Sequence, residues 1–406
     1  MKTINIVNFY AGDMKSVSEG GIASYVKEIL KQSNDRITYS LAGVTKNFQN
    51  KIGEWSTGVF ENTKFNFFPV LSVNDNHITY EKGIPLNLRY LFNLFKYRSK
   101  ILKKADSLHF HRVELALPFV FKKNKPVVVT INGNNYDIKI ATKHPLFKRK
   151  WFRYFFHKLE KFIISRIDKV IFVSYDGLDC YSSKLKNLRD KFVFLPNFID
   201  LNLFLPMNKN KCLDKFNLDK NKKIILFAGR LHEQKGLDLL LDAYSLLRKH
   251  SRNEFLSVLA GEGVERKHLE KKAIEENLKD VIFLGNIPHA LLPELMNCAD
   301  VFVLPSIWEG MPYVVLEALA CGVPVVATAV GQISHIIKDG INGFIINNRD
   351  ALELKEKIIQ AVNLDKDIKN RCRDSAKDFS SPLIINEIAE IHKTFLDNIQ
   401  KNENRF

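Results

Sequence analysis

The chain has 406 residues, more than one hydrophobic core ordinarily serves, so two domains are expected. Its 46% hydrophobic and 26% charged residues are those of an ordinary globular protein, which argues against a disordered or fibrous chain. The formal charge of +16 calls for an anionic partner: a phosphorylated substrate, an anionic membrane surface or nucleic acid.

Five scattered cysteines, Cys180, Cys212, Cys298, Cys321 and Cys372, form no C-x-x-C. That pattern fits a reducing compartment and neither a disulfide framework nor a zinc site. The first seven residues read as a strand, not as the long apolar core of a signal peptide. No run approaches the ~20 apolar residues of a spanning helix. The expectation is a cytoplasmic protein that is soluble or sits on the inner face of the membrane.

In chain order, the first half predicts strands at 4–9 and 36–41 around a helix at 22–31. Residues 43–85 look irregular. A helix follows at 86–103, then strands at 107–110, 127–131, 169–173 and 192–195. A polar, Lys/Asn-rich stretch with Pro206 interrupts the pattern between Asn197 and Asn221. We therefore place the first domain at 1–205 and the second at 206–381. The second half predicts strands at 223–228, 255–260, 281–284, 300–304, 323–327 and 343–346. Helices at 237–250, 264–277, 288–298, 312–320 and 333–338 alternate with them. Near-continuous apolar strands alternating with helices predict an α/β fold of two Rossmann-like, doubly wound parallel-sheet domains. A last helix at about 382–399 is expected to pack back on the first domain.

Ligands of open parallel sheets bind beyond the carboxyl ends of the strands. The strand at 223–228 runs into Gly229-Arg230-Leu231-His232-Glu233-Gln234-Lys235-Gly236. Arg230 and Lys235 on one loop that opens a helix suit a diphosphate, which Arg can grip with two donors. Two solvated surface cations are the plain alternative. The strand at 300–304 runs into Pro305-Ser306-Ile307-Trp308-Glu309-Gly310-Met311-Pro312, then a helix carrying Glu317 among apolar residues. Pro312 suits the first helical turn, and Gly310 lets backbone approach a ligand. A carboxylate at 317 must be solvated at an edge or hydrogen-bonded. A ribose diol offers two donors, and nearby backbone is the alternative partner.

The stretch EGMPYVVLEALACGVPVVAT, in which Glu309 and Glu317 form E-x7-E, resembles the signature of the large GT-B glycosyltransferase family 4. AGRLHEQKGLDLLLDAY resembles that family's Arg/Lys loop. AGEGVERKHLE, VIFLGNIPHALLPELMNCADVFVLPS and DGINGFI match in order and spacing. The resemblance is strong over 222–347 and weak in the first half, where Gly20-Gly21 and LPNFID carry it. It implies two domains facing across a cleft and a nucleotide-sugar donor, UDP- or GDP-linked. It further implies a glycan or lipid-linked glycan acceptor, transfer with retention and a role in bacterial cell-surface polysaccharide synthesis. By the same resemblance Arg230 and Lys235 hold the diphosphate, and Glu317 binds the ribose. Glu309 faces the transferred sugar, with the backbone of Gly310 and Met311 nearby. Phe283-Leu284-Gly285 borders the nucleobase, and Gly20 and Gly21 approach the phosphates. The family often has a His after the strand that here ends at Ile131; this chain has Asn132, which can hydrogen-bond but carries no charge. His111 is the candidate substitute, with a purely structural His as its alternative. The family's PNG is here Pro196-Asn197-Phe198.

No metal cofactor is expected, because Arg230 and Lys235 can replace a metal's charge on the leaving diphosphate. Asp365-Lys366-Asp367 fits a D-x-D pattern but lies beyond the last strand and reads as a solvated turn. An inverting enzyme would need a base, for which His111 and Asp137 are the candidates. Residues 139–169 hold ten Lys or Arg against Glu160 and Asp168. A helix at 145–166 would place Arg149, Arg153, His157 and Lys161 on one face. Phe147, Trp151, Phe155, Leu159 and Phe162 would lie on another. This is the pattern of a membrane-surface helix, or of a core helix with solvated cations. The rival functions are a GT-B-fold sugar-nucleotide epimerase and an NAD(P)-dependent oxidoreductase. No G-x-G-x-x-G follows the first strand, which counts against the second. No nucleic-acid module is present in the sequence, so nucleic acid is not expected as a partner.

Overall fold

The computed structural model describes all residues except 1–2, 13–20, 47–49, 61, 74–79, 82–83, 122–123, 133–148, 251–253 and 404–406. The chain forms two compact units, Met1–Asn197 with Pro382–Phe406, and Phe198–Ser381. The second unit thus begins at 198, not at 206. Ile199 bridges to Ser380, and Arg373 donates to the carbonyls of Leu201 and Phe204 at 2.8 and 2.7 Å. Phe204 is 1% exposed within the second unit's core, so residues 198–205 cannot be a linker.

The first unit's strands are β1 (Ile4–Phe9), β2 (Ile37–Thr45), β3 (Ser56–Phe60), β4 (Thr63–Ser72), β5 (Tyr80–Glu81), β6 (Ile84–Pro85), β7 (Ser107–Phe110), β8 (Val127–Ile131), β9 (Lys169–Phe172) and β10 (Phe192–Phe194). Its main sheet has the order β10-β9-β8-β7-β1-β2-β4-β3, parallel except for β3. Its helices are α1 (Gly21–Lys31), α2 (Leu86–Lys104), α3 (Lys150–Arg166) and α4 (Tyr175–Lys184).

The stretch expected to be irregular holds the β3–β4 hairpin. Phe65 and Phe67 alternate with Lys64 and Asn66 in the period of two that marks a strand. Pro69 masks the pattern, since it cannot donate to a ladder. It pairs with Gly43, and the β2–β4 register shifts just after that pair.

The second unit has β11 (Lys223–Ala228), β12 (Phe255–Ala260), β13 (Val281–Gly285), β14 (Val301–Leu304), β15 (Val325–Thr328) and β16 (Gly343–Ile346). All pair in parallel in the order β13-β12-β11-β14-β15-β16. The helices are α5 (Lys209–Lys215), α6 (Leu237–His250), α7 (Arg266–Glu275), α8 (Leu292–Met296), α9 (Tyr313–Ala320), α10 (Ile333–Ile336), α11 (Ala351–Val362) and α12 (Ile368–Lys377). Strands β12, β14 and β15 are buried along their whole length, as helices on both faces require. The terminal helix α13 (Ser381–Glu403) brings His392 against Ser107 of the first unit's sheet.

Each sheet has one place where the strand order reverses. In the second unit it lies between β11 and β14, and in the first between β1 and β7. The loops leaving those strands diverge to opposite sides, and the crevice between them is where such sheets bind ligands.

Candidate active site

In the second unit the two loops at the reversal are the ones that carry Arg230, Lys235 and Glu309. After β11 the chain passes the exposed Arg230 into a short turn, Glu233–Lys235. His232 Nδ1 accepts from the Gln234 N–H at 3.2 Å at the start of that turn. Gly236 ends it in the left-handed region at φ +63°. A Cβ there would lie 2.3 Å from the Pro305 carbonyl, so only glycine lets the two loops approach. Lys235 Nζ then reaches Glu309 Oε1 at 2.5 Å, with side-chain exposures of 14% and 9%.

Several residues missed in the sequence hold this pair. Ser306 Oγ donates to the same Glu309 oxygen at 2.7 Å, and Thr328 Oγ1 donates to the Ser306 carbonyl at 2.6 Å. Gln234 binds across the gap twice: its carbonyl accepts from the Ile307 N–H at 2.7 Å, and its Nε2 donates to the Trp308 carbonyl at 3.0 Å. Arg349 Nη1 donates to the Pro305 carbonyl at 2.6 Å. The Gln332 N–H donates to the Gly310 carbonyl at 2.8 Å, and Gly331, at φ +56°, packs where a Cβ would strike the Glu309 and Gly310 carbonyls. Ordinary polar letters spread over four loops gave no sequence signal for this scaffold, because its contacts are non-local.

Met311 is buried and precedes Pro312, which is the residue before α9 and not in its first turn. Glu317 lies in the second turn of α9 and is 3% exposed. His289 Nε2 stands 3.6 Å from its Oε1. Its Oε2 is buried with no hydrogen-bond partner among the described residues. Nearby backbone does not satisfy it, which removes the plain alternative for this residue. A buried carboxylate oxygen with unused lone pairs is a costly arrangement unless a donor meets it. Leu284 is half-buried on β13, the edge strand two places from β11.

In the first unit, Gly20 and Asp137 lie outside the described residues, as do 139–148 of the basic segment, Phe147 among them. Gly21 is the exposed first residue of α1. His111 follows β7 and is 3% exposed, and Asn132 follows β8. Burial pushes the His111 imidazole well below the ordinary histidine range, with His109 beside it adding to the effect. A base is most effective with a pKa near the working pH, so His111 is poorly suited to deprotonate an acceptor. Asp365 and Asp367 are exposed at the start of α12. Arg371 binds Asp365 through two bonds of 2.8 and 3.0 Å and holds its carboxyl below the usual range.

The basic segment differs from its expected faces. In α3 the inward side is Glu160, Ile163 and Ile164, with Tyr181 OH donating to Glu160 Oε1 at 2.7 Å. Arg153 falls on that side and is only half-exposed, and His157 turns to Glu160 at 3.5 Å. Trp151, Tyr154 and Phe155 are exposed by 56, 58 and 64%, alongside Lys158, Lys161 and Arg166. The aromatic row therefore does not cover the sheet. Phe121 is also exposed, 6.1 Å from Phe162, and Arg166 lies over both rings. Among the described residues no helix is long and apolar enough to cross a membrane.

Residues 208–379 match the family of glycosyl transferases group 1, and residues 56–203 match Glycosyltransferase Family 4. An uncharacterized glycosyltransferase of Methanocaldococcus jannaschii is 29% identical over 330 residues, 77% of this chain and 80% of that one. The sucrose-phosphate synthase of Thermosynechococcus elongatus superposes with a TM-score of 0.76 at 21% identity, over 97% of this chain and 100% of its own. HepE of Anabaena, solved in complex with UDP-glucose, gives 0.69 at 18% identity, over 96% of this chain and 100% of its own.

Proposed function

Because the chain belongs to the GT4-type glycosyltransferases and has their GT-B fold, we propose that it moves a sugar from a UDP- or GDP-linked donor to a glycan or lipid-linked glycan, without a metal and with retention. The observation that supports the donor assignment is the Lys235–Glu309 pair at the reversal point of one sheet, with the Oε2 of Glu317 on the helix that follows lacking a hydrogen-bond partner among the described residues. A ribose diol supplies the donors that Glu317 Oε2 lacks. Arg230 and Lys235 supply positive charge where a diphosphate leaves, the term most sensitive to preorganised electrostatics. Glu309, fixed by Ser306, places negative charge beside the sugar that becomes oxocarbenium-like. Both matched families are of glycosyl transferases, which favours transfer over epimerisation or NAD(P)-dependent oxidation.

On the acceptor side, the exposed aromatic and cationic face of α3 suits an anionic membrane surface, where aromatic rings sit at the headgroups. A lipid-linked acceptor in cell-surface polysaccharide synthesis at the inner face of the cytoplasmic membrane follows from that reading.

Titration of UDP and GDP into the protein tests the donor assignment. One nucleotide should bind, and Glu317→Ala should weaken it roughly tenfold to hundredfold, the range of hydrogen bonds to a charged group. The melting temperature should hold or rise, because an unsatisfied buried carboxylate is removed. Unchanged affinity would move the ribose elsewhere.

A further inference from the structure

The two oxygens of the Glu317 carboxylate meet different surroundings. Oε2 is buried with no hydrogen-bond partner among the described residues, whereas Oε1 faces His289 Nε2 at 3.6 Å. The Glu317 side chain is 5% exposed and that of His289 44%, so a half-exposed ring stands against a buried carboxylate. At 3.6 Å the contact is within ion-pair reach but longer than a hydrogen bond. An ionised carboxylate only accepts, so the favourable ring, neutral or charged, turns a protonated Nε2 toward it.

The chain builds a support for this pair. After β13, Pro288 leads into the short turn His289–Leu291 that precedes α8. Phe204, 1% exposed, meets the His289 ring edge-on, with centroids 5.6 Å apart. Arg373 Nη1 donates to the Phe204 carbonyl and to the Ala320 carbonyl, both at 2.7 Å. Ala320 is the last residue of α9, the helix that carries Glu317. One guanidinium thus ties the residue packed on His289 to the helix of Glu317. Imidazole and carboxylate are held by one frame, although they come from different loops.

A ribose offers two neighbouring hydroxyls, and a carboxylate with both oxygens free can take one on each. Here one oxygen already has a donor facing it, and the other has none. We infer that His289 is a positioning residue that holds Glu317 Oε1, so that Oε2 alone receives the ribose and one of the two hydroxyls goes unread. His289 acts through Glu317 and not on the sugar. The consequence is a nucleoside selectivity. If the unread hydroxyl is the 2′, ribonucleotides and 2′-deoxyribonucleotides bind alike; if it is the 3′, the site rejects 2′-deoxyribonucleotides. This inference rests on the donor reading of Glu317 and goes beyond it to the nucleosides that the site tells apart.

Calorimetric titration of the full chain tests it, using UDP or GDP, whichever binds, with the 2′-deoxy and 3′-deoxy forms of each. In the wild type one deoxy form should bind roughly tenfold to hundredfold more weakly, the worth of a hydrogen bond to a charged group. The other should bind within about twofold of the parent nucleotide. In His289→Ala, Oε1 is released to the second hydroxyl, and the silent deoxy form should acquire a penalty of similar size. His289→Gln keeps a donor on the same side and should return the wild-type pattern. A merely structural role for the ring would lower all three affinities together and leave their ratios unchanged.

Equal wild-type penalties for both deoxy forms, with Glu317→Ala still weakening the parent nucleotide, would overturn the inference and leave the donor reading standing. Ratios unchanged by His289→Ala would do the same. If neither deoxy form nor Glu317→Ala alters affinity, or if neither nucleotide binds, the donor reading falls and the inference with it. A second arm needs no nucleotide. The urea midpoints of His289→Ala, Glu317→Ala and the double variant should be non-additive, because the two side chains are in contact. Additive shifts would mean that the ring does not hold the carboxylate, and would overturn the inference whatever binds.

Discussion

On the proposed reading, Lys235 is the residue on which the donor chemistry turns. Its ammonium is largely buried and held by Glu309, which Ser306 holds in turn, and in the proposed reaction this preorganises its charge for a leaving diphosphate. Lys235→Ala should lower kcat by roughly 10²–10³-fold with little change in melting temperature, as stopped-time assays and calorimetry would show. A kcat within a few-fold of wild type would mean that the diphosphate lies elsewhere. Arg230, Lys235, Glu309 and Glu317 were legible in the sequence as candidates, because each follows an apolar strand of the second unit at a short offset. Their support was not. Gln234, Ser306, Thr328 and Arg349 act across loops, and linear spacing says nothing of such contacts.

At the scale of elements, α3 shows a helical period that is legible in the sequence while the direction of its aromatic face is not. The spacing of Trp151 and Phe155 suggested one stripe, and an apolar stripe ordinarily goes inward. Here Ile163, Ile164 and the Tyr181-bound Glu160 hold the inward side, so the aromatics are left outside. The cations that accompany them are Lys158, Lys161 and Arg166. If they meet anionic lipid, each contributes about 1 kcal/mol. Replacing the three with Gln should then weaken binding to phosphatidylglycerol vesicles by roughly two powers of ten, less at high salt. Trp151→Ala should weaken it further at any salt, because ring insertion is not electrostatic. Unchanged vesicle binding would assign this face to something other than membrane.

For the molecule as a whole, the alternation of apolar strands and helices made two doubly wound units legible, since a strand buried on both faces must be apolar throughout. Strand order was not legible, because pairing is non-local, and the reversal points that locate the sites emerge only from it. Nor did the sequence show that His109, His111 and His392 meet in one core. All three are held neutral by burial, with folded pKa values below the ~6.5 of an unfolded histidine. Below pH 6.5 the unfolded chain binds protons that the native rings refuse, so stability falls as pH falls, down to the folded values. The loss is about 1.4 kcal/mol per ring for each pH unit, or about 4 kcal/mol for the three at pH 5.5. The melting temperature should drop by roughly 10 °C between pH 7.5 and 5.5. His392→Phe should flatten that slope by about a third. A melting temperature independent of pH over this range would contradict the buried neutral cluster.

Release of the nucleoside diphosphate is the direct measure of metal-independent sugar transfer from a nucleotide sugar. The purified chain would be incubated in saturating EDTA with a panel of UDP- and GDP-sugars and membrane extract as acceptor source, with Lys235→Ala in parallel. Acceptor-dependent release from one nucleotide sugar is expected, undiminished by the chelator and lost in the variant. Release that requires added Mg2+ or Mn2+, or a free epimerised donor formed without acceptor, would contradict it.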